Sequence, residues 1–230
     1  MYKYILFDID DTLLDFKKCE AHAIRQVFRE YGVKDSGSNV RLYSDINDNF
    51  WKRFERGEIE RNEIFEGRFI ELKNRLGLDI DTYKVHNRYF ECLSSFSFTI
   101  DGAEKLLCNL QGKYIVGAIT NGATITQKAR IKSSGIKKYF NGGIYISEEI
   151  GLQKPQKEYF EYVLKKLGSP DKDQVLVIGD SPSSDILGAE NAGIDCCQVD
   201  IRNNGICTNP EPEYYVKKLS EIPKTCGLIN

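Results

Sequence analysis

The sequence predicts an α/β protein: a doubly wound parallel sheet carrying a smaller, all-helical inserted domain. Two observations carry that expectation. Short, continuously apolar runs alternate with helical patterns, which is how strands covered on both faces read. The alternation is broken once, between residues 16 and 98, by a segment that reads as helices only.

The first strand is predicted over residues 4–7, Tyr-Ile-Leu-Phe. Within the interrupting segment, Ile24, Val27, Phe28 and Tyr31 form one apolar face closed by Gly32. Phe65, Phe69, Leu72 and Leu76 form another, closed by Gly77. Residues 40–56 and 81–93 also read as helices. Further strands are predicted over 114–119, 174–178 and 196–199, with a weaker one over 144–146. Between them, helices are predicted from Ala123 to Ser133, around Phe160, Val163, Leu164 and Leu167, and from near Ser183 to near Gly193. Strand–helix alternation of this kind implies a parallel sheet with helices on both faces. The expected division is an α/β unit of residues 1–15 and 99–230, with a helical unit of residues 16–98 inserted.

Composition bounds the function. With 230 residues, 41% hydrophobic and 29% charged, the chain can bury a sizeable core without disulfides or a structural metal. Basic and acidic residues number 32 and 34, and no basic stripe occurs, so a nucleic-acid partner is not expected. No apolar run approaches the ~20 residues that span a bilayer, and no leader pattern precedes the first strand. The 7 cysteines form no C-x-x-C pair, which predicts reduced thiols, several of them buried, in a cytoplasmic protein.

Four segments at predicted strand ends carry chemistry. The first is Asp8-Ile9-Asp10-Asp11-Thr12, with three carboxylates in four residues. Crowded like charges are costly unless a cation sits among them, and Mg²⁺ with a few oxygen ligands would serve. Taken alone, the run is equally an Asp-capped turn. The second is Gly179-Asp180-Ser181-Pro182-Ser183-Ser184-Asp185. A carboxylate at Asp180, on a buried strand end, needs a partner. Asp185 falls in the first turn of the next helix, where it also suits the helix dipole. The third is Thr120-Asn121-Gly122, an anion site or an ordinary N-cap. The fourth is Lys154-Pro155, where the bland reading is a surface lysine. All four fall on one edge of the predicted sheet. Together they supply carboxylates and a metal for one side of a phosphate and donors for the other.

These segments, in this order, resemble the motifs of the haloacid dehalogenase-like (HAD) hydrolase superfamily, and the helical insert resembles its C1 cap on a Rossmann-like core. Ile119 to Gly122, Ile146 to Gly151, Asp185 to Gly193 and the stretch Trp51 to Ile59 resemble bacterial pyrimidine 5′-nucleotidases. N-acylneuraminate-9-phosphatases share much of this pattern. The resemblance implies a Mg²⁺-dependent phosphomonoester hydrolase acting on a small molecule. Asp8 is the implied nucleophile and Asp10 the acid–base. Asp8, Asp10 (through its carbonyl) and Asp180 are implied to hold the metal. Thr120, Asn121 and Lys154 are implied to bind phosphate, with Asp185 behind them. A phosphomutase and a non-catalytic phosphate-binding module are the alternatives. The acid at Asp10 speaks for phosphate esters over haloacids, and against pure binding. Trp51, Phe54, Arg61 and Arg68 could touch a base or sugar. The simpler expectation is that the aromatics pack between helices and the arginines are solvated. His22 and His86 lack ligand partners at useful spacing and are expected in surface or core roles.

Overall fold

The structure, a computed structural model, describes residues 1–228. Six parallel strands form one sheet: β1 (Tyr4–Phe7), β2 (Ile115–Thr120), β3 (Ile144–Ile146), β4 (Val175–Gly179), β5 (Asp195–Val199) and β6 (Tyr214–Val216). Their order is β3-β2-β1-β4-β5-β6. β1 and β4 are buried almost throughout, which explains their continuous apolarity. The chain reverses its winding direction about β1, between β2 and β4, and the crevice beyond such a switch point is where open α/β sheets bind ligands. The predicted doubly wound α/β fold is therefore observed.

Apolar clusters cover both faces of the sheet. One gathers Ile5, Phe7, Ala118, Leu176 and Ile178 with Leu106, Leu107 and Leu110. The other gathers Leu6, Ile119, Val175 and Val177 with Tyr159, Phe160, Val163 and Ile186.

Four helices follow β1: α1 (Phe16–Glu30), α2 (Gly37–Glu55), α3 (Arg61–Leu76) and α4 (Thr82–Ser94). Local signals set their ends. Asp15 and Asp81 cap α1 and α4 by accepting backbone N–H groups, and Gly77 ends α3 in the left-handed conformation. The helices share a core of their own, including Ile24, Val27, Tyr43, Phe50, Phe69 and Tyr89. The chain leaves and re-enters the α/β layer side by side: Leu14 bridges Thr99, and Asp15 N–H donates to Phe98 at 2.9 Å.

The helices after β1 in the sheet-covering layer are α5 (Ala103–Leu110), α6 (Thr124–Ser133), α7 (Ser147–Ile150), α8 (Lys157–Lys166), α9 (Leu187–Ala192) and α10 (Ile222–Thr225). The sequence reading named no helix over α5. The helix predicted from Ser183 begins instead with a single π-helical turn, Pro182–Ile186, before α9. Among the described residues, no helix is long and apolar enough to cross a membrane. All seven cysteines are unpaired, and five of them are buried.

Candidate active site

The candidate site lies at the carboxyl ends of β1, β2 and β4. The three acidic residues of the first segment have separate fates. Asp8 directly follows β1, where its N–H donates to Ile178 of β4 at 2.8 Å and its side chain is buried. Asp10 points to α6: Arg130 Nη1 donates to its Oδ1 at 2.6 Å and Gln127 Nε2 to its Oδ2 at 2.5 Å. Asp11 adopts a left-handed backbone (φ 60°), unusual without glycine, and is held there by Arg202 at 2.6 Å. The same guanidinium reaches Asp15 at 2.9 Å.

Lys154 is 1% exposed, so it is not a surface lysine. Its ammonium donates to Asp8 Oδ1 and to Asp185 Oδ1, each at 2.6 Å. Asn121 places it by a two-bond clamp on the lysine backbone: Nδ2 donates to the Lys154 carbonyl at 2.8 Å, and Lys154 N–H donates to Oδ1 at 2.9 Å. The Asn121 side chain thus joins the third and fourth strand-end segments, a role beyond the anion-binding N–H or N-cap that the sequence suggests. Thr120 ends β2, and its Oγ1 accepts from Gly122 N–H at 3.2 Å.

Asp185 is brought in by the π-helical turn. Both Asp185 and Ile186 N–H donate to the Ser181 carbonyl, widening the turn, while Asp185 Oδ2 accepts Ser181 N–H at 3.1 Å. Gly179 makes room for it. A Cβ at that glycine would lie 2.3 Å from Asp185 Cγ and Oδ2. Asp185 is fully buried, and Lys154 and the Ser181 N–H hold its carboxylate in place. Gly179→Ala is therefore expected to cost roughly 1–3 kcal/mol of stability. Denaturant unfolding measures the effect.

Asp8, Asp180 and Asp185 each offer an oxygen, and these oxygens lie within 4.8 Å of one another. Among the described residues, Asp180 has one side-chain hydrogen bond, from Thr12 Oγ1 at 3.3 Å. Burial, and then the charges of its neighbours, push the carboxyls up: Asp8 to about 8, despite Lys154, and Asp180 well above its usual range. Burial disfavours the Lys154 ammonium, but Asp185 and Asp8 outweigh it and raise its pKa. Three carboxylates thus face one ammonium. That deficit of positive charge, in an all-oxygen donor set, fits a hard divalent cation such as Mg²⁺.

A family model for haloacid dehalogenase-like hydrolases matches residues 2–193. The chain belongs to that family. It is 36% identical to YfnB of Bacillus subtilis (strain 168), an alignment covering 100% of this chain and 97% of that protein. A crystal structure of YfnB bound to magnesium superposes with a TM-score of 0.92 at 35% identity, covering 97% of each chain. The pyrimidine 5′-nucleotidase PynA of Streptococcus pneumoniae (strain ATCC BAA-255 / R6) is 35% identical, covering 96% of this chain and 93% of its own. The pyrimidine 5′-nucleotidase YjjG of Escherichia coli (strain K12) is 30% identical, covering 96% of each. In this HAD hydrolase the helices α1–α4 meet the strand-end loops partly through polar contacts of Arg61 and Glu55. Arg61 donates to the Asn121 carbonyl at 2.7 Å and to Ser147 Oγ at 2.6 Å, and Ser183 Oγ donates to Glu55.

Two expectations are corrected here. Arg61 is not solvated; it is tied to the loop after β2. Arg68 is 2% exposed, donates to Asn47 Oδ1 at 2.8 Å and lies 4.9 Å from the Tyr89 ring centroid. Aromatic faces and an amide oxygen replace its water. Phe54 is buried in the core that the four helices share and half-buried Trp51 packs against it, as expected. His22 and His86 pack on aromatic rings, His22 on Phe98 at 5.1 Å and His86 on Phe90 at 4.4 Å. The sequence reading missed Gln127, Arg130, Glu55 and Arg202. Spacing could have hinted only at Gln127 and Arg130, three apart on one helix with no exposed-face pattern of their own.

Proposed function

We propose that this chain is a Mg²⁺-dependent phosphomonoester hydrolase that works through an aspartyl-phosphate on Asp8, with pyrimidine nucleoside monophosphates as substrates. The observation that carries the reaction is the buried Asp8 carboxylate held by Lys154 beside Asp180 and Asp185. The substrate rests on likeness to PynA and YjjG over nearly the whole chain.

Asp8 and Asp180, with the Asp10 carbonyl, would hold the metal, which when bound offsets the charge of the carboxylates and the phosphate. Asp8 attacks phosphorus while the bond from phosphorus to the nucleoside oxygen breaks. Asp10 gives its proton to that oxygen, releasing the nucleoside as an alcohol. Water then attacks the aspartyl-phosphate and gives its proton to Asp10. The bond from phosphorus to Asp8 breaks, freeing phosphate and restoring both carboxyl groups. Lys154, Thr120 and the Asn121 N–H hold the non-bridging oxygens, and Asp185 holds Lys154. On this reading residues 16–98 act as a cap that covers the site and selects the leaving group. Arg61 and Glu55 are among its polar contacts to the catalytic unit formed by residues 1–15 and 99–230.

The test is phosphate release from a panel of pyrimidine and purine monophosphates and sugar phosphates, with and without Mg²⁺. The expected result is Mg²⁺-dependent turnover, fastest on pyrimidine monophosphates. Preference for a sugar phosphate would overturn the substrate and keep the reaction. No turnover on any ester, with tight binding, would favour a phosphate-binding module.

A further inference from the structure

The reaction outlined above makes no use of Arg130, although its side chain is among the largest in the chain to be fully buried. Arg130 is 0% exposed and Gln127 1%, both on α6. Burying a guanidinium costs several kcal/mol, and an apolar side chain of similar volume would usually serve stability as well or better. Arg130 is not spent on packing alone. Its Nη1 takes Asp10 Oδ1 at 2.6 Å while Gln127 Nε2 takes Oδ2 at 2.5 Å. Each oxygen of the Asp10 carboxylate thus has its own donor, and both donors come from one rigid helix. The Asp10 side chain itself stays 26% exposed. Nε and Nη2 of Arg130 and Oε1 of Gln127 have no hydrogen-bond partner among the described residues, so the grip spends only part of their capacity.

Two neighbours hold the grip in place. A Cβ at Gly122, in the loop after β2, would lie 2.1 Å from Gln127 Nε2 and 2.8 Å from its Cδ. The absent side chain at Gly122 is therefore the space in which the Gln127 amide lies. The Arg130 guanidinium sits 5.5 Å from the ring centroid of Phe16, the first residue of α1. Asp10 is connected in this way to the loop after β2 on one side and to the root of the helical unit on the other.

We propose that Arg130 and Gln127 are positioning residues that act through Asp10, fixing its carboxyl for proton transfer to the leaving oxygen. The inference rests on the phosphohydrolase reading above. A carboxyl that must give a proton to one ester oxygen and later take one from water gains from a fixed orientation, since acid–base catalysis depends on geometry before anything else. Two donors three residues apart on a helix fix both the position and the plane of the carboxyl, which one donor cannot do.

The leaving group discriminates this role from a structural one. p-Nitrophenolate leaves without protonation, whereas a nucleoside alkoxide does not. Gln127→Ala, Arg130→Lys, Arg130→Met and Asp10→Asn are compared with the parent on p-nitrophenyl phosphate and on a pyrimidine monophosphate, with thermal unfolding of each. Acid–base help is worth ~10²–10⁴-fold, so partial misplacement of Asp10 should cost roughly 10–100-fold in kcat on the nucleotide. The loss on p-nitrophenyl phosphate should be several-fold smaller, with KM for the nucleotide little changed. Arg130→Lys should retain more nucleotide activity than Arg130→Met. In the Asp10→Asn background, Gln127→Ala should add little, as expected for groups acting as one unit.

Gly122→Ala keeps the test decisive if the arginine variants do not fold, because the new methyl meets the Gln127 amide first and leaves residue 130 unsubstituted. It should show the same leaving-group dependence. Equal losses on both esters in Gln127→Ala and Gly122→Ala would overturn the proposal and leave the hydrolase standing. A parent enzyme that hydrolyses neither ester would overturn the hydrolase reading, and this proposal with it.

Discussion

Asp8→Asn is expected to remove phosphate release almost completely, lowering kcat on the order of 10⁴-fold or more, as loss of a nucleophile does. The amide cannot form the acyl phosphate. It keeps an Oδ1 that can still accept from Lys154, the contact now made at 2.6 Å. It also replaces a carboxyl whose ionisation burial already opposes, pushing it up to about 8, with a group that carries no charge at any pH. The fold should therefore survive, and thermal unfolding should show a midpoint no lower than the parent's. The two readouts separate chemistry from folding. Acid-quenched protein given a labelled phosphomonoester should carry label in the parent and none in the variant. An Asp8→Asn protein that still turns over at a tenth of the parental rate would remove the aspartyl-phosphate from consideration.

Lys154→Met is expected to carry the largest cost in stability. The side chain is buried and compensates two buried carboxylates at once. Removing one partner of a buried ion pair leaves the other charge uncompensated, at roughly 3–5 kcal/mol. For a domain of this size that corresponds to a fall in Tm on the order of 10 °C. Activity should fall by about 10²–10³-fold, as when a single oxyanion donor is removed. Mg²⁺ should recover part of the lost Tm, because a cation among Asp8, Asp180 and Asp185 replaces some of the missing charge. Titration of Mg²⁺ against Tm in the parent and the variant measures this. An unchanged Tm in Lys154→Met would mean that the carboxylates do not depend on the lysine.

The strands were legible because burial on both faces leaves a continuous apolar run. The predicted strand ends moved by about one residue. β2 ends at Thr120 and β4 at Gly179, and these shifts place the next residues, Asn121 and Asp180, at the mouth of the crevice. α5 was missed although Ala103, Leu106, Leu107 and Leu110 keep helical spacing. It spans only two turns, and so short a pattern is easily read as loop. The π-helical turn had no local signal. What it achieves is visible only in the fold: it brings Asp185 to Lys154, 31 positions away in the chain.

The arginines were misread for a related reason. Spacing cannot distinguish a charged side chain in water from one between Tyr89 and Asn47, because these partners of Arg68 come from α4 and α2. Arg130 is the same case, its partner lying 120 positions earlier.

By itself the sequence determined the strand–helix order, the helical interruption after β1, and the four segments at strand ends, since local apolar period and short motifs encode each of these. Only the tertiary structure decided which carboxylate goes where. Asp8 turns to Lys154, Asp10 to Arg130 and Gln127, and Asp11 to Arg202. A charge finds its partner through space, and the low dielectric of a buried site makes that pairing the term that settles its orientation.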